Sequence, residues 1–306
     1  MTLATHSTTA PHRTDPRNTL GIALCVASAL CFAVLPFLGG AASDAGVDLP
    51  ELLLIRFLVA GVALWTTVAV RRPRFPSSRV VLAGLALGGI GYAAQSALYF
   101  AALPYNGPSL NTLLLYTFPV LVFGVAVLRG RERATRFRLL ALALALTGVV
   151  AVLAGDRSGS LQPIGVAIGL ATAAVYATYI LLGDAIDAAL DRVLLGALVC
   201  TGASVTYLLV NGVTGGPDLA FEPAGWWWAG ALGLVSTAMA LTLFFAGMRL
   251  VGAATASIVS CLEPVATVLI GVSLFGDRLG PVQLLGAAAV LTAVVLLQLR
   301  PRRRSV

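Results

Sequence analysis

Ten stretches of about 20 mostly apolar residues follow one another along this chain, and that recurrence restricts its fold more than any other feature. A hydrocarbon layer about 30 Å thick is crossed by about 20 residues of α-helix, and lipid-exposed backbone has no water to bond. The stretches are 19–38, 50–70, 79–102, 108–128, 136–154, 163–183, 193–212, 225–247, 252–275 and 281–299. Only 11% of the residues are charged and mean hydropathy is +0.94, where soluble domains carry about a quarter charged residues. The expected class is an all-α polytopic membrane protein. The first stretch could also be read as a signal peptide, but its long polar lead and its match to a later helix argue against removal.

All 20 basic side chains are arginine. With the N-terminus in the cytoplasm, the inner segments hold Arg13, Arg17, Arg71, Arg72, Arg74, Arg79, Arg129, Arg131, Arg133, Arg136, Arg138, Arg192, Arg249, Arg300, Arg302, Arg303 and Arg304. The outer segments hold only Arg157 and Arg278, and Arg56 lies within a span. Cytoplasmic loops carry such an excess, so both termini are expected inside, in a cell (inner) membrane. The net charge of +7 is then a consequence of topology, and no nucleic-acid partner is needed to explain it.

The sequence also repeats itself. Displaced by 145 residues, LYFAAL (98–103) falls on LFFAGM (243–248), Gly107 on Gly252, Pro119 on Pro264, Glu132 on Asp277 and Arg133 on Arg278. Displaced by 144, GIALCVASALCFA (21–33) meets GVAIGLATAAVYA (165–177). Each half holds five spans, an odd number, so the second half enters the membrane in the opposite sense. The expected architecture is ten transmembrane helices as two inverted five-helix repeats, 19–154 and 163–299. A cytoplasmic tail (1–18), of a composition that reads as disordered, precedes them, an external linker (155–162) joins them and a basic tail (300–306) follows. Inverted repeats of this kind hold a solute near the midplane where the halves meet.

PELLLIRF in the second span and the paired stretches GPSLNTLLLYTFPVLVFGVAVLRGRER and GAATASIVSCLEPVATVLIGVSLFGDR resemble the drug/metabolite transporter superfamily, EamA type. The resemblance covers about residues 19–299. It implies secondary transport, commonly export, of small metabolites such as amino acids.

Glu263 is the only carboxylate between Gly252 and Phe275, and it falls at mid-span. A charge there costs at least about 2.5–3.5 kcal/mol unless it is paired or meets water. Three roles compete: a structural hydrogen-bonded acid, a proton-coupling site, or a ligand for a cationic substrate group. Pro264 and Pro119 lack N–H groups, freeing the carbonyls of Ser260 and Leu115; each is a packed kink or a hinge. Polar stripes run through Ala256, Ser260, Glu263, Thr267 and Gly271; through Gly88, Tyr92, Gln95 and Tyr99; and through Gly169, Thr172, Tyr176 and Tyr179. Each is either helix–helix glue or cavity wall. Arg56 either snorkels to the outer surface or meets a substrate carboxylate or Glu263. Trp226, Trp227 and Trp228 read as an interfacial anchor, and Asp184, Asp187, Asp191 and Arg192 as a solvated inner loop.

Enzyme chemistry finds no support. The histidines, His6 and His12, lie in the N-terminal tail, and no nucleophile–base spacing is present. A phosphate loop with lysine is impossible without lysine, which also disfavours an ATP-driven pump. Cys25, Cys31, Cys200 and Cys261 have no ligand spacing, so no metal or other cofactor is expected. The partners implied are a small-molecule substrate and the lipid bilayer, and a homodimer stays open. A flippase for a lipid-linked carrier, a multidrug-cation antiporter and a non-transporting scaffold or sensor remain as alternatives. The small multidrug relatives carry an acid in their first helix, and residues 19–38 contain none.

Overall fold

The computed structural model describes residues 16–129, 135–154, 162–184, 186, 190–251, 256, 259–260, 262–274, 276 and 279–298. The tail before Pro16, residues 155–161, the chain from 299 onward, and Glu132, Arg133, Asp187, Gly252, Cys261, Asp277 and Arg278 lie outside the described residues. Among those described, every regular element is helical: α1 (Pro16–Ala33), α2 (Leu35–Asp44), α3 (Leu49–Arg71), α4 (Ser78–Ala86), α5 (Ala93–Leu115), α6 (Phe118–Leu128), α7 (Arg136–Ala154), α8 (Pro163–Asp184), α9 (Arg192–Val213), α10 (Pro223–Gly233), α11 (Ala240–Val251), α12 (Leu262–Leu274) and α13 (Pro281–Gln298). Two π-helical turns, Leu87–Tyr92 and Leu234–Met239, join α4 to α5 and α10 to α11.

The protein is a multi-pass membrane protein. Among the described residues, six helical runs are long and apolar enough to cross a bilayer: Arg17–Asp44, Leu49–Arg71, Ser78–Val125, Pro163–Gly183, Arg192–Val213 and Pro223–Val251. Leu139–Val152, Leu262–Leu274 and Pro281–Ala293 are shorter apolar helices.

Proline and glycine set the breaks. Pro36 removes a donor just after Val34, where α1 gives way to α2, so the stretch expected as one helix over 19–38 is two. Gly107, at φ 66°, interrupts α5 with a conformation that only glycine adopts without strain. Pro50, Pro119 and Pro223 stand in the first turns of α3, α6 and α10, where a missing N–H costs nothing. Asp191, expected in a solvated loop, instead caps α9: its carboxylate accepts from the N–H groups of Val193 (2.8 Å) and Leu194 (3.2 Å), two donors the helix start leaves open.

Helices pair lengthwise, α3 with α9, α7 with α13, α5 with α8 and α1 with α11. The main core forms around α3, with Phe57 and Leu64 locked against Leu194 of α9 and Leu232 of α10. Small residues permit the closest approach: a Cβ on Gly88 would stand 2.0 Å from the Val199 carbonyl oxygen, and one on Gly202 2.0 Å from that of Leu85. The first π turn is therefore pressed onto α9. Its loosened backbone is paid back in hydrogen bonds, Thr206 donating to the Gly89 carbonyl and Tyr207 to that of Ala93, each at 2.7 Å. Such turns inside α-helices often mark functional sites.

Candidate functional site

The site grows from an arginine that has no carboxylate partner among the described residues. Arg56 sits in the second turn of α3 and is 2% exposed, so it does not snorkel to the surface; α9, α10 and the π turns close over it. Its Nε donates to Thr237 of the second π turn (3.1 Å), one terminal nitrogen to Ser96 (3.4 Å) and the other to Tyr92, the last residue of the first π turn (3.3 Å). The guanidinium carbon lies 5.0 Å from the Phe57 ring centroid and 5.6 Å from that of Phe100, within cation–π range. All three acceptors are neutral hydroxyls, and among the described residues no ion pair balances the charge. Removal of a buried cation's counter-charge is costly; aromatic faces and hydroxyl dipoles supply only part of it.

Arg56 lines a cavity of about 510 Å³ that Glu263 lines as well. The two do not form an ion pair, so the direct Arg56–Glu263 contact weighed from the sequence does not occur here. Glu263 opens α12, partly accessible from the cavity, with Pro264 behind it in the packing. The hydroxyl of Tyr116 donates to the carbonyl of Ser260 (3.3 Å) and lies within reach of the Glu263 carboxyl. That carbonyl is the one Pro264 deprives of a helical donor.

Between these poles runs an aromatic wall: Tyr92 to Tyr179 (5.3 Å between centroids), Tyr179 to Tyr176 (5.8 Å) and Tyr176 to Phe118 (4.7 Å). Tyr99 turns its hydroxyl to Thr112 (3.1 Å), and its backbone carbonyl accepts from Asn111 (2.9 Å). Phe32, Leu35, Leu241, Phe244 and Phe245 supply the apolar remainder. The result is a mostly apolar chamber with one cation, one acid and a few directional hydroxyls, the usual make-up of a small-molecule site.

Of the residues singled out in the sequence, Arg56, Tyr92, Gln95, Tyr99, Pro119, Tyr176, Tyr179, Ser260 and Glu263 meet around this space. Thr172 and Thr267 do not line it. Both are 1% exposed; Thr172 donates to Ile168 (2.8 Å) one turn back, and Thr267 lies within reach of the carbonyls of Glu263 (3.0 Å) and Ala33 (3.3 Å). Pro264 is buried and shapes the helix rather than the wall. Gly88 and Gly169 lie beyond the cavity, against Val199 and Leu114. Sequence reasoning missed Tyr116, Ser96, Thr112 and the phenylalanines. One signal was present: Phe244 is the repeat equivalent of Tyr99.

The EamA-like transporter family model matches this chain twice, over residues 19–154 and 163–299. The chain belongs to the EamA-like transporter family. Members similar to it include the uncharacterized transporter YcbK of Bacillus subtilis, 24% identical over 89% of this chain and 90% of that one. An uncharacterized transporter of Archaeoglobus fulgidus is 32% identical over 65% of this chain and 70% of its own length. The uncharacterized inner membrane transporter YedA of Escherichia coli is 25% identical over 82% of each. A solved structure described as "Crystal structure of protein" superposes with a TM-score of 0.62 at 21% identity, covering 91% of this chain and 96% of that one, a likeness of fold. As an EamA-like protein the chain is a transporter and not an enzyme.

Proposed function

We propose that this EamA-like protein is a secondary transporter of the inner membrane that exports small polar metabolites such as amino acids, by alternating access to a midplane site between two inverted five-helix repeats. The observation that carries this reading is the cavity holding Arg56 and Glu263 between walls contributed by both halves. Arg56 receives a substrate carboxylate, which supplies the counter-charge its hydroxyl partners lack. Glu263 exchanges a proton with cavity water and couples the solute to the proton gradient. The tyrosines hold the apolar body of the solute.

The inverted repeat gains support from paired positions. Displacements of 144 or 145 residues relate cavity residues to one another: Phe32 to Tyr176, Leu35 to Tyr179, Ser96 to Leu241, Tyr99 to Phe244, Leu115 to Ser260 and Phe118 to Glu263. A Cβ on Gly21 would meet Leu250 and Val251, while one on its equivalent, Gly165, would meet Tyr105 and Asn106, the equivalents of that pair. The cavity is thus two-fold in outline and one-sided in chemistry, since several polar residues face an apolar mate. As for the ten-span count, the 48-residue run Ser78–Val125 would measure about 70 Å as one helix, so with its break at Gly107 it has length for two crossings. Arginine placement supports cytoplasmic termini.

The test is efflux from proteoliposomes loaded with a pool of amino acids and other metabolites, with and without an imposed pH gradient. Wild type is expected to move a solute with the gradient, and Glu263→Gln only to exchange it. Equal behaviour of both would make Glu263 a structural acid. No flux of any pool member would overturn the metabolite reading and favour a lipid-carrier flippase or a scaffold.

A further inference from the structure

Tyr116 occupies a place that no motif marks. It closes the helical part of α5 in the first half, two residues before the α6 start at Phe118, yet its hydroxyl serves two groups of the second half. It donates to the Ser260 carbonyl at 3.3 Å and lies within hydrogen-bonding reach of the Glu263 carboxyl. A tyrosine hydroxyl carries one proton, so it donates once. Both contacts are satisfied together only if Glu263 is protonated: the acid O–H donates to the tyrosine oxygen, and the tyrosine O–H donates to Ser260.

Removing the acid proton breaks that arrangement. A carboxylate only accepts, and charge-assisted hydrogen bonds outcompete neutral ones, so the single Tyr116 proton turns from Ser260 to Glu263. The Ser260 carbonyl, already without its regular helical donor because of Pro264, then loses the tyrosine hydroxyl as well. A bare carbonyl at membrane depth must find water or a new donor, which requires the backbone before Pro264 to shift relative to α5. The proton itself passes to water in the cavity, and no other bond is made or broken.

We propose that Tyr116 is the positioning residue that transmits the proton state of Glu263 to the backbone ahead of Pro264, and through it from one half of the transporter to the other. This rests on the reading that Glu263 exchanges a proton during transport. The other groups that bear on Glu263 cannot replace Tyr116. Tyr92 and Tyr99, on the π turn and α5, and Tyr176 on α8 lie near enough to feel its charge, but the Tyr92 hydroxyl is held by Arg56 and that of Tyr99 by Thr112, and Tyr176 has no hydroxyl partner among the described residues. On α1, which also packs against α12, the thiols Cys25 and Cys31 have no interaction with it. Arg56 lines the same cavity without an ion pair to it.

The experiment is infrared difference spectroscopy of the full chain in lipid nanodiscs between acidic and alkaline buffer, with serine labelled by carbon-13 at its carbonyl. It needs no substrate. Wild type is expected to lose a protonated-carboxyl band, absent from Glu263→Gln, together with a shift of a serine carbonyl band. Tyr116→Phe should keep the carboxyl change and lose the serine shift; in proteoliposomes its net efflux should no longer follow the pH gradient while solute exchange continues. Because Tyr116→Phe could unfold the protein, Tyr116→Phe/Pro264→Ala is made alongside: alanine restores an N–H for Ser260, so the double variant should fold and still lack the serine shift. A serine shift that persists without the tyrosine hydroxyl, or a wild type whose carboxyl band changes with the serine band still, overturns the proposal. If no solute moves but the serine shift depends on Tyr116, the coupling stands and the transport reading falls. If transport follows the pH gradient through Glu263 while the serine band is still, the reverse holds.

Discussion

Replacing Arg56 by lysine keeps the charge and changes its shape, which makes it a sharp test of the site. Arginine spreads its donors in a plane and reaches hydroxyls from three places, Thr237, Ser96 and Tyr92, at 3.1–3.4 Å. These are long for charge-assisted bonds, so each is set at about 1 kcal/mol, the value of an ordinary neutral hydrogen bond. Lysine is a compact point charge that cannot mimic the fork; it forfeits the Nε anchor on Thr237 and one arm of a two-point grip on a carboxylate. Two such losses amount to about 2 kcal/mol, or roughly a 30-fold rise in KM. Arg56→Gln removes the charge as well and should cost about 3 kcal/mol or more, beyond about 100-fold. The assay is exchange in proteoliposomes of the solute found in the pool against its carboxamide analogue. Wild type should prefer the acid strongly, Arg56→Lys weakly, and Arg56→Gln not at all. An Arg56→Gln protein that keeps the wild-type preference for the acid would refute the assignment and make Arg56 a structural cation.

Two predictions concern the frame. Gly88→Ala drives a methyl to 2.0 Å from the Val199 carbonyl, backbone that cannot rotate away, and overpacking of this kind costs about 1–3 kcal/mol; a thermal melt in detergent should register a lower midpoint, and an unchanged one would deny the close contact. Asp191→Ala leaves the N–H groups of Val193 and Leu194 uncapped and should cost about 0.5–2 kcal/mol, read as faster amide exchange at the start of α9; exchange at the wild-type rate would show that water replaces the cap.

Much of this was open to reading from residues. A carboxylate and a proline side by side in an apolar span and tyrosines at helical spacing pointed toward one chamber, and they line or adjoin it. What escaped has identifiable physical causes. The π turns leave no trace because LGGIGY and LVSTAM are only six residues each, too short and with too few polar residues for the one extra residue to show as a change of polar phase. Thr172 and Thr267 share a helix face with cavity residues, but a threonine hydroxyl can bond its own preceding turn, and only packing decides whether it does. The depth of Arg56 depended on which elements close over it, and its partner Thr237 lies 181 residues away. Tyr116 looked like one more residue of a leucine-rich run; its importance comes from a carbonyl on the other half.

That separation between Arg56 and Thr237 bears on how the chain is made. At about 5–20 residues per second, the ribosome reaches Thr237 on the order of ten to forty seconds after it has passed Arg56. Throughout that interval the second span carries a buried charge that costs at least about 2.5–3.5 kcal/mol in lipid, with one of its three hydroxyls not yet synthesised. Until the run Pro223–Val251 arrives, α3 is therefore a poor tenant of the bilayer, and its arginine is expected to stay near water, at the insertion machinery or the membrane surface. A chain truncated before Thr237 should accordingly be a substrate for membrane quality control.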